Sequence, residues 1–188
     1  MTVNEPDYGK AGRNLPVAIA VGLGLLATVV LSLFIDSRFF AILAAFGMML
    51  AARELAGTLV VGLSVRMSIL LQILAPAIIV GAAVAGTIGL LGTFVGSALI
   101  VLAVRLLDGP EAYVHHVTRS IFALAYAPLL AGFAVLLSTQ ENGAWKVLAF
   151  ILLTAATDLG GYAAGAIFGK HQMAPNVSPK KSWEGFAG

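Results

Sequence analysis

The sequence of 188 residues contains no cysteine. Disulfide bridges, catalysis by a thiolate and metal sites built from cysteine are therefore excluded.

Charged residues are also scarce. They make up 11% of the chain, against about 25% in soluble domains. Hydrophobic residues make up 60%, and the mean hydropathy is +0.97. The chain is therefore expected to be an integral membrane protein. Its basic residues are scattered and form no soluble basic face, so nucleic acid is not an expected partner.

The apolar stretches have the length of membrane spans, because about 20 apolar residues cross a hydrocarbon core. Residues 69–104 are almost continuously apolar, and as one helix they would be roughly 54 Å long, well beyond a core of about 30 Å. Two spans must share this stretch, and Gly86-Thr-Ile-Gly89 is the expected break. The sequence thus predicts an all-α polytopic membrane protein with six helices, at about 15–35, 39–63, 69–85, 90–107, 120–138 and 145–169.

The distribution of lysine and arginine predicts the orientation. With six spans, residues 1–14 form a tail and residues 170–188 a basic loop on the same side of the membrane. That side carries nine of the eleven basic residues, which indicates that both ends are cytoplasmic. The first apolar stretch is too long for the core of a signal peptide, about 7 to 15 residues, so we expect it to remain as a span.

Asp158 lies inside the last predicted span. A carboxylate at membrane depth costs several kcal/mol unless it is paired, hydrated or bound to a cation, so such residues usually mark functional sites. Asp158 could hold a Mg²⁺ ion that bridges phosphate oxygens. The alternative is a structural role, with a hydrogen bond to Thr154, Thr157 or an arginine of another helix.

Glycines share the helix face of Asp158, because residues three and four apart are neighbours. This face also carries Gly161, Tyr162, Gly165 and Gly169. Glycines at this spacing usually allow close approach of another helix, so packing is the expected role of the glycines themselves.

A basic segment follows the span. Ser178-Pro179 has the pattern of a helix start, whose free amides would form an anion site. Lys180 and Lys181 would reinforce that site, with the Ser182 hydroxyl next to them. The alternative is a cluster that only follows the positive-inside rule or contacts anionic lipid, and for Lys170 that alternative is equally open.

The residues from 158 to 185 resemble a motif of the phosphatidate cytidylyltransferases, also called CDP-diacylglycerol synthases. That family has an Asp-x-x-(Ala/Gly)-Tyr-x-x-Gly-x-x-x-Gly-Lys segment followed by Ser-Pro-x-Lys-(Ser/Thr)-x-Glu-Gly. This chain reads Asp158-Leu-Gly-Gly-Tyr162-Ala-Ala-Gly165-Ala-Ile-Phe-Gly169-Lys170 and then Ser178-Pro179-Lys180-Lys181-Ser182-Trp-Glu184-Gly185. The five preceding spans agree with the family only in being apolar.

The resemblance implies that CTP and phosphatidic acid react to give CDP-diacylglycerol and pyrophosphate, with Mg²⁺ required, in phospholipid biosynthesis at the plasma membrane. It implies Asp158 as metal ligand and, with Lys181, as catalytic residue. Residues implied in substrate binding are Lys170, Ser178, Lys180, Lys181, Ser182 and Glu184.

The family's long signature, with Lys-Arg, Lys-Asp, His-Gly-Gly and a closing Asp-Arg-x-Asp, is absent from these residues. We therefore expect an amino-terminal portion of the enzyme that does not turn over alone. The rival hypotheses are a small cation-coupled transporter subunit, in which Asp158 binds the coupling cation, and a non-catalytic scaffold. Membrane lipids are expected partners, and the sequence leaves a homodimer open.

Overall fold

A computed structural model of the chain describes residues 15–59, 64–174 and 178–188. The predicted tail at 1–14, the predicted end of the second span at 60–63 and the segment 175–177 lie outside the described residues. The chain forms two compact units, Met1–Ala144 and Trp145–Gly188. The helices are α1 Leu15–Ile35, α2 Ser37–Leu59, α3 Val65–Leu107, α4 Tyr113–Leu124, α5 Leu130–Ser138, α6 Gly143–Phe168 and α7 Trp183–Ala187, and the strands are β1 Gln172–Ala174 and β2 Ser178–Ser182.

The prediction of a helical, multi-pass membrane protein is confirmed. Five segments within the described residues are long and apolar enough to cross a membrane. They are Val17–Ile35, Ser37–Thr58, Val65–Leu107, Tyr113–Ser138 and Gly143–Phe168. The third has 43 residues, twice the length that one crossing needs.

Helix α3 is bent back on itself as a hairpin. Ala85 and Gly86 have non-helical backbone angles, and Gly86 has φ +60° and ψ −142°, which favour glycine. A Cβ atom on Gly81 would lie 2.7 Å from the carbonyl oxygen of Gly89, although eight residues of straight helix would separate them by about 12 Å. The two arms, 65–84 and 87–107, therefore pack closely, and the predicted break at Gly86 is found.

The two ends of α3 meet at the open end of the hairpin. The Arg66 guanidinium lies 3.6 Å from the Asp108 carboxylate, and the Ser64 hydroxyl donates to the same carboxylate at 3.3 Å. Beside them, the buried Arg105 side chain donates hydrogen bonds to the carbonyl oxygens of Gly109 and Glu111. The connection to the next helix is thereby tied to α3.

The fifth span begins earlier than predicted, at Tyr113 instead of about residue 120. The Tyr113 hydroxyl donates to the Leu102 carbonyl oxygen at 3.1 Å, which anchors the first turn of α4 on α3. A π-helical segment, Ala125–Leu129, joins α4 to α5 and contains Pro128. Proline has no amide hydrogen to donate to the preceding turn, which accounts for the wider turn at this position.

The core of the first unit is apolar and centred on α3, which contacts α2, α4 and α5, while α1 contacts α2. Leu90 contacts Gly132 of α5 so closely that a Cβ atom on that glycine would overlap it. Fully buried core side chains include Met67, Leu71, Ile78, Ile79, Leu90, Val101, Leu124 and Val135. Many outward-facing side chains are large and apolar, as expected where lipid is the solvent.

The second unit consists of α6, a two-stranded antiparallel ribbon and α7. In the ribbon Gln172 pairs with Ser182 and Ala174 with Ser178, with an irregularity between the two pairs. The prediction of a helix start at Ser178 is wrong, because residues 178–182 form strand β2. Their backbone groups are used in pairing with β1, and the helix begins five residues later, at Trp183.

Candidate functional site

An open cavity of about 580 Å³ lies within the second unit. Asp158 contributes from α6, and Lys181 and Ser182 contribute from the end of β2. Asp158 is more than 20 positions from Lys181 and Ser182 in the chain, and the fold brings all three to one surface. The other lining residues are Thr157, Gly161, Tyr162, Gly165, Ala166, Met173, Gly185, Phe186 and Gly188.

Asp158 is exposed to this cavity and forms no hydrogen bond or ion pair with any side chain that the structure describes. The hydroxyls of Thr154 and Thr157, which the sequence offered as partners, instead donate to the carbonyl oxygens of Phe150 and Leu153 within α6. Within the described part of the chain, the Asp158 carboxylate is therefore available to a ligand.

Lys181 is also exposed and has no carboxylate partner among the described side chains. The cavity thus holds one acidic and one basic group that do not neutralise each other through a direct contact. A ligand that carries both phosphate groups and a bound cation would satisfy both charges.

Ser182 has two structural roles, because it lines the cavity and its side chain also caps α7. Its Oγ accepts a hydrogen bond from the Gly185 amide at 3.2 Å, the typical contact of a helix N-cap. Since the oxygen is the acceptor in this bond, the hydroxyl hydrogen remains available for a phosphate oxygen.

The glycines on the face of Asp158 serve packing within the second unit. A Cβ atom on Gly161 would lie 2.9 Å from the Gly185 carbonyl oxygen, and one on Gly185 would lie 3.0 Å from the Cα of Gly165. Gly169 is equally restricted, since its Cβ would lie 2.8 Å from Ser182 Oγ. Helix α7 therefore lies directly on the backbone of α6, and the cavity forms between them.

Glu184 does not line the cavity. Its Oε1 lies 2.6 Å from His171 Nδ1, and its Oε2 accepts hydrogen bonds from the amides of Lys170 and His171, both at 3.2 Å. The hydrogen bond with the His171 side chain is the largest cause that lowers the Glu184 pKa from 4.5 to about 2, and the amide bonds act in the same direction. This carboxyl group is therefore ionised at neutral pH.

Two further predicted site residues, Lys170 and Ser178, are not among the residues that line the cavity. Lys170 is exposed and takes part through its backbone amide. Ser178 is half-buried at the start of β2. The side chain of Lys180 lies outside the described residues. His171 was missed by the sequence reasoning, because an exposed histidine beside a span shows no local signal of its partner.

The sequence as a whole matches the model of the cytidylyltransferase family over residues 16–188. The chain belongs to the cytidylyltransferase family. Phosphatidate cytidylyltransferase of Mycobacterium leprae is 34% identical over 203 residues, which cover 100% of this chain and 64% of the relative. The protein of the same name from Mycobacterium bovis is 32% identical over 97% of this chain and 64% of the relative.

A shorter match within the same family is the phosphatidate cytidylyltransferase of Staphylococcus saprophyticus, which is 37% identical over 68 residues, 36% of this chain and 25% of the relative. The chain thus spans 60–64% of the length of the mycobacterial relatives that it matches. No solved structure gives a significant match to the chain. The resemblance seen in residues 158–185 is therefore confirmed at the level of the family.

Proposed function

We propose that the chain carries part of the active site of a phosphatidate cytidylyltransferase, which makes CDP-diacylglycerol and pyrophosphate from CTP and phosphatidic acid. The observation that carries the proposal is the cavity of the second unit, where Asp158, Lys181 and Ser182 lie together. Membership in the cytidylyltransferase family and the names of the curated relatives support the choice of reaction.

The charges of the substrates explain why such a site needs cations. CTP and phosphatidic acid are both anionic, so they repel each other unless positive groups lie between them. Lys181 supplies one positive charge, and the Ser182 hydroxyl can donate a hydrogen bond to a phosphate oxygen. Asp158 alone would repel phosphate, which is why we assign it to a bridging cation.

The described residues fit part of a Mg²⁺ site. Asp158 has the only side-chain carboxylate among the described residues that line the cavity, and the described part of the chain contains no group of three or more His, Asp or Glu residues that could hold a metal ion. Mg²⁺ in phosphate sites is usually held by one or two carboxylates together with substrate phosphates and water. When bound, it would neutralise phosphate charge, and Asp158 would hold it beside the nucleotide.

In the proposed reaction an oxygen of the lipid phosphate attacks the α-phosphorus of CTP. A bond from this oxygen to the α-phosphorus forms, the bond from the α-phosphorus to the β-phosphate oxygen breaks, and pyrophosphate leaves with the electron pair. The contribution of Lys181 and Ser182 is to hold the phosphates in line and to neutralise their charge, which supplies most of the catalysis in phosphoryl transfer.

We further propose that the protein lies in the plasma membrane with both ends of this chain in the cytoplasm, where CTP is available. The distribution of basic residues supports this orientation. Since the chain has no cysteine, single cysteines at Gln140 and Gln172 can be labelled without background. A membrane-impermeant maleimide added to intact cells should label Gln140→Cys and spare Gln172→Cys, and the reverse pattern would contradict the orientation.

A homodimer stays a prediction, which cross-linking in native membranes would test.

Binding of labelled CTP with Mg²⁺ to the purified protein in lipid nanodiscs tests the proposed site. Asp158→Asn and Lys181→Ala should each weaken binding at least about tenfold, equivalent to about 1.4 kcal/mol. Glu141→Gln and Arg38→Ala remove exposed charges of the first unit and should bind as the wild type. No CTP binding by the wild type, or equal binding by wild type and both site variants in folded protein, would contradict the proposal.

A further inference from the structure

Both oxygens of Glu184 contact one short segment of chain, the residues that follow α6. Oε1 contacts the His171 ring at 2.6 Å, and Oε2 accepts from the amides of Lys170 and His171. The Trp183 amide also donates to the His171 carbonyl oxygen, at 3.0 Å. The end of α6 and the start of α7 are therefore joined by side-chain and backbone contacts at the same place.

These contacts lie next to the two residues that reach the cavity from β2. Ser182 pairs with Gln172, immediately beside the contact between Trp183 and His171. Lys181 precedes Ser182 and shares its strand. Without the contact between Glu184 and His171, this end of the ribbon, next to Lys181, would be held by fewer contacts.

We propose that Glu184 and His171 are positioning residues that form a clasp, which holds Lys181 and Ser182 at the cavity lined by Asp158. The proposal rests on the proposed function, because it assigns Glu184 to the support of the nucleotide site, where the family resemblance implied direct contact with substrate. The clasp consists of the two side chains and the amides of Lys170 and His171.

Hydrogen-bond geometry distinguishes a clasp from a ligand of metal or substrate. A glutamine at position 184 keeps one oxygen that can accept from the two amides, and its NH₂ group can donate to His171 Nδ1. It removes the negative charge but retains the contacts. A clasp therefore tolerates Glu184→Gln and not Glu184→Ala, whereas a group that binds a cation through its charge tolerates neither.

The experiment measures CTP binding with Mg²⁺ in nanodiscs together with amide hydrogen exchange at Lys170 and His171 by NMR. We expect Glu184→Ala and His171→Ala to weaken CTP binding about three- to tenfold and to accelerate exchange at both amides. Glu184→Gln should stay within about twofold of the wild type in both measurements. His171→Asn, whose amide nitrogen can replace Nδ1, should recover most of the loss seen with His171→Ala. Glu141→Ala is the matched control, an exposed glutamate of the first unit, and should change neither measurement.

Equal loss of CTP binding in Glu184→Gln and Glu184→Ala, with amide exchange unchanged in Glu184→Gln, would overturn the clasp and assign Glu184 to ligand binding. Unchanged exchange and binding in Glu184→Ala would also overturn it. Absence of CTP binding in the wild type would count against the proposed function alone, because amide exchange still reports whether the contacts of the clasp exist.

Discussion

Glu184 and His171 are 13 residues apart in the chain, and their side chains meet with Oε1 2.6 Å from Nδ1. The contact connects the residues that follow α6 with the start of α7, and the ribbon lies between these two points in the chain. The two acidic residues of the motif therefore have different surroundings. Asp158 lines the cavity, whereas Glu184 accepts hydrogen bonds from the segment that follows α6.

The pKa of Glu184 gives the first prediction. It is lowered from 4.5 to about 2, first by the His171 side chain and then by backbone amides. A carboxyl with a lowered pKa in the folded state stabilises the fold above about pH 4.5, and this contribution is lost as the pH falls towards 2. An NMR titration of labelled glutamate should show the low value, and His171→Ala should raise it while leaving it below 4.5, because the amide bonds remain. A wild-type value near 4.5 would contradict the contact.

The tip of the α3 hairpin gives the second prediction. Gly86 has φ +60°, whereas Gly92 lies inside the second arm, and a Cβ atom at either glycine would meet no atom within 4 Å. Gly86→Ala should therefore destabilise the protein by about 1–3 kcal/mol through backbone strain alone. Gly92→Ala should be neutral or stabilising by up to about 1 kcal/mol, since alanine favours helix. Unfolding by SDS in mixed micelles measures both, and equal effects would argue against the sharp turn at Gly86.

The closed hairpin predicts a cross-link between residues far apart in sequence. Ser64 Oγ lies 3.3 Å from Asp108 Oδ2, with 44 positions between the residues. The double variant Ser64→Cys/Asp108→Cys should be joined by a short bifunctional thiol reagent, seen as faster migration in non-reducing gels. The pair Ser64→Cys/Thr87→Cys joins opposite ends of the first arm and should not cross-link. A straight α3 of 43 residues, about 65 Å long, would give no cross-link with a short reagent in either case.

The packing of α7 on α6 gives the fourth prediction. Gly161→Ala places a Cβ atom 2.9 Å from the Gly185 backbone oxygen, so α7 must shift, at a cost of about 1–3 kcal/mol typical of overpacking. Exchange of the Gly185 amide should accelerate, and CTP binding should weaken. Gly47→Ala in α2 is the control, because a Cβ atom there meets nothing within 4 Å. If both variants protect the Gly185 amide equally, α7 does not lie on α6 as described.

The bounds of the helices could be predicted closely wherever the thickness of the hydrocarbon core and the local residues set them. The last span was expected at 145–169 and is found at Gly143–Phe168, and the break in α3 lies at the predicted glycine. The segment after α6 was predicted less well. Ser178-Pro179 has a local pattern that favours a helix start, but pairing of β2 with β1 takes up the backbone groups. This pairing depends on residues distant in sequence, which no local pattern reveals.

The amino-acid sequence by itself determined that the protein is a helical, multi-pass membrane protein with a carboxylate inside a long apolar segment. Lipid as solvent requires long apolar helices, and a charged residue within one of them is rare. Only the tertiary structure decided which motif residues face the cavity and which hold the chain together. The cavity is lined by Asp158, Lys181 and Ser182 because glycines allow α7 to pack on α6 and because Glu184 contacts His171. These two sets of contacts join chain segments that approach each other only after folding.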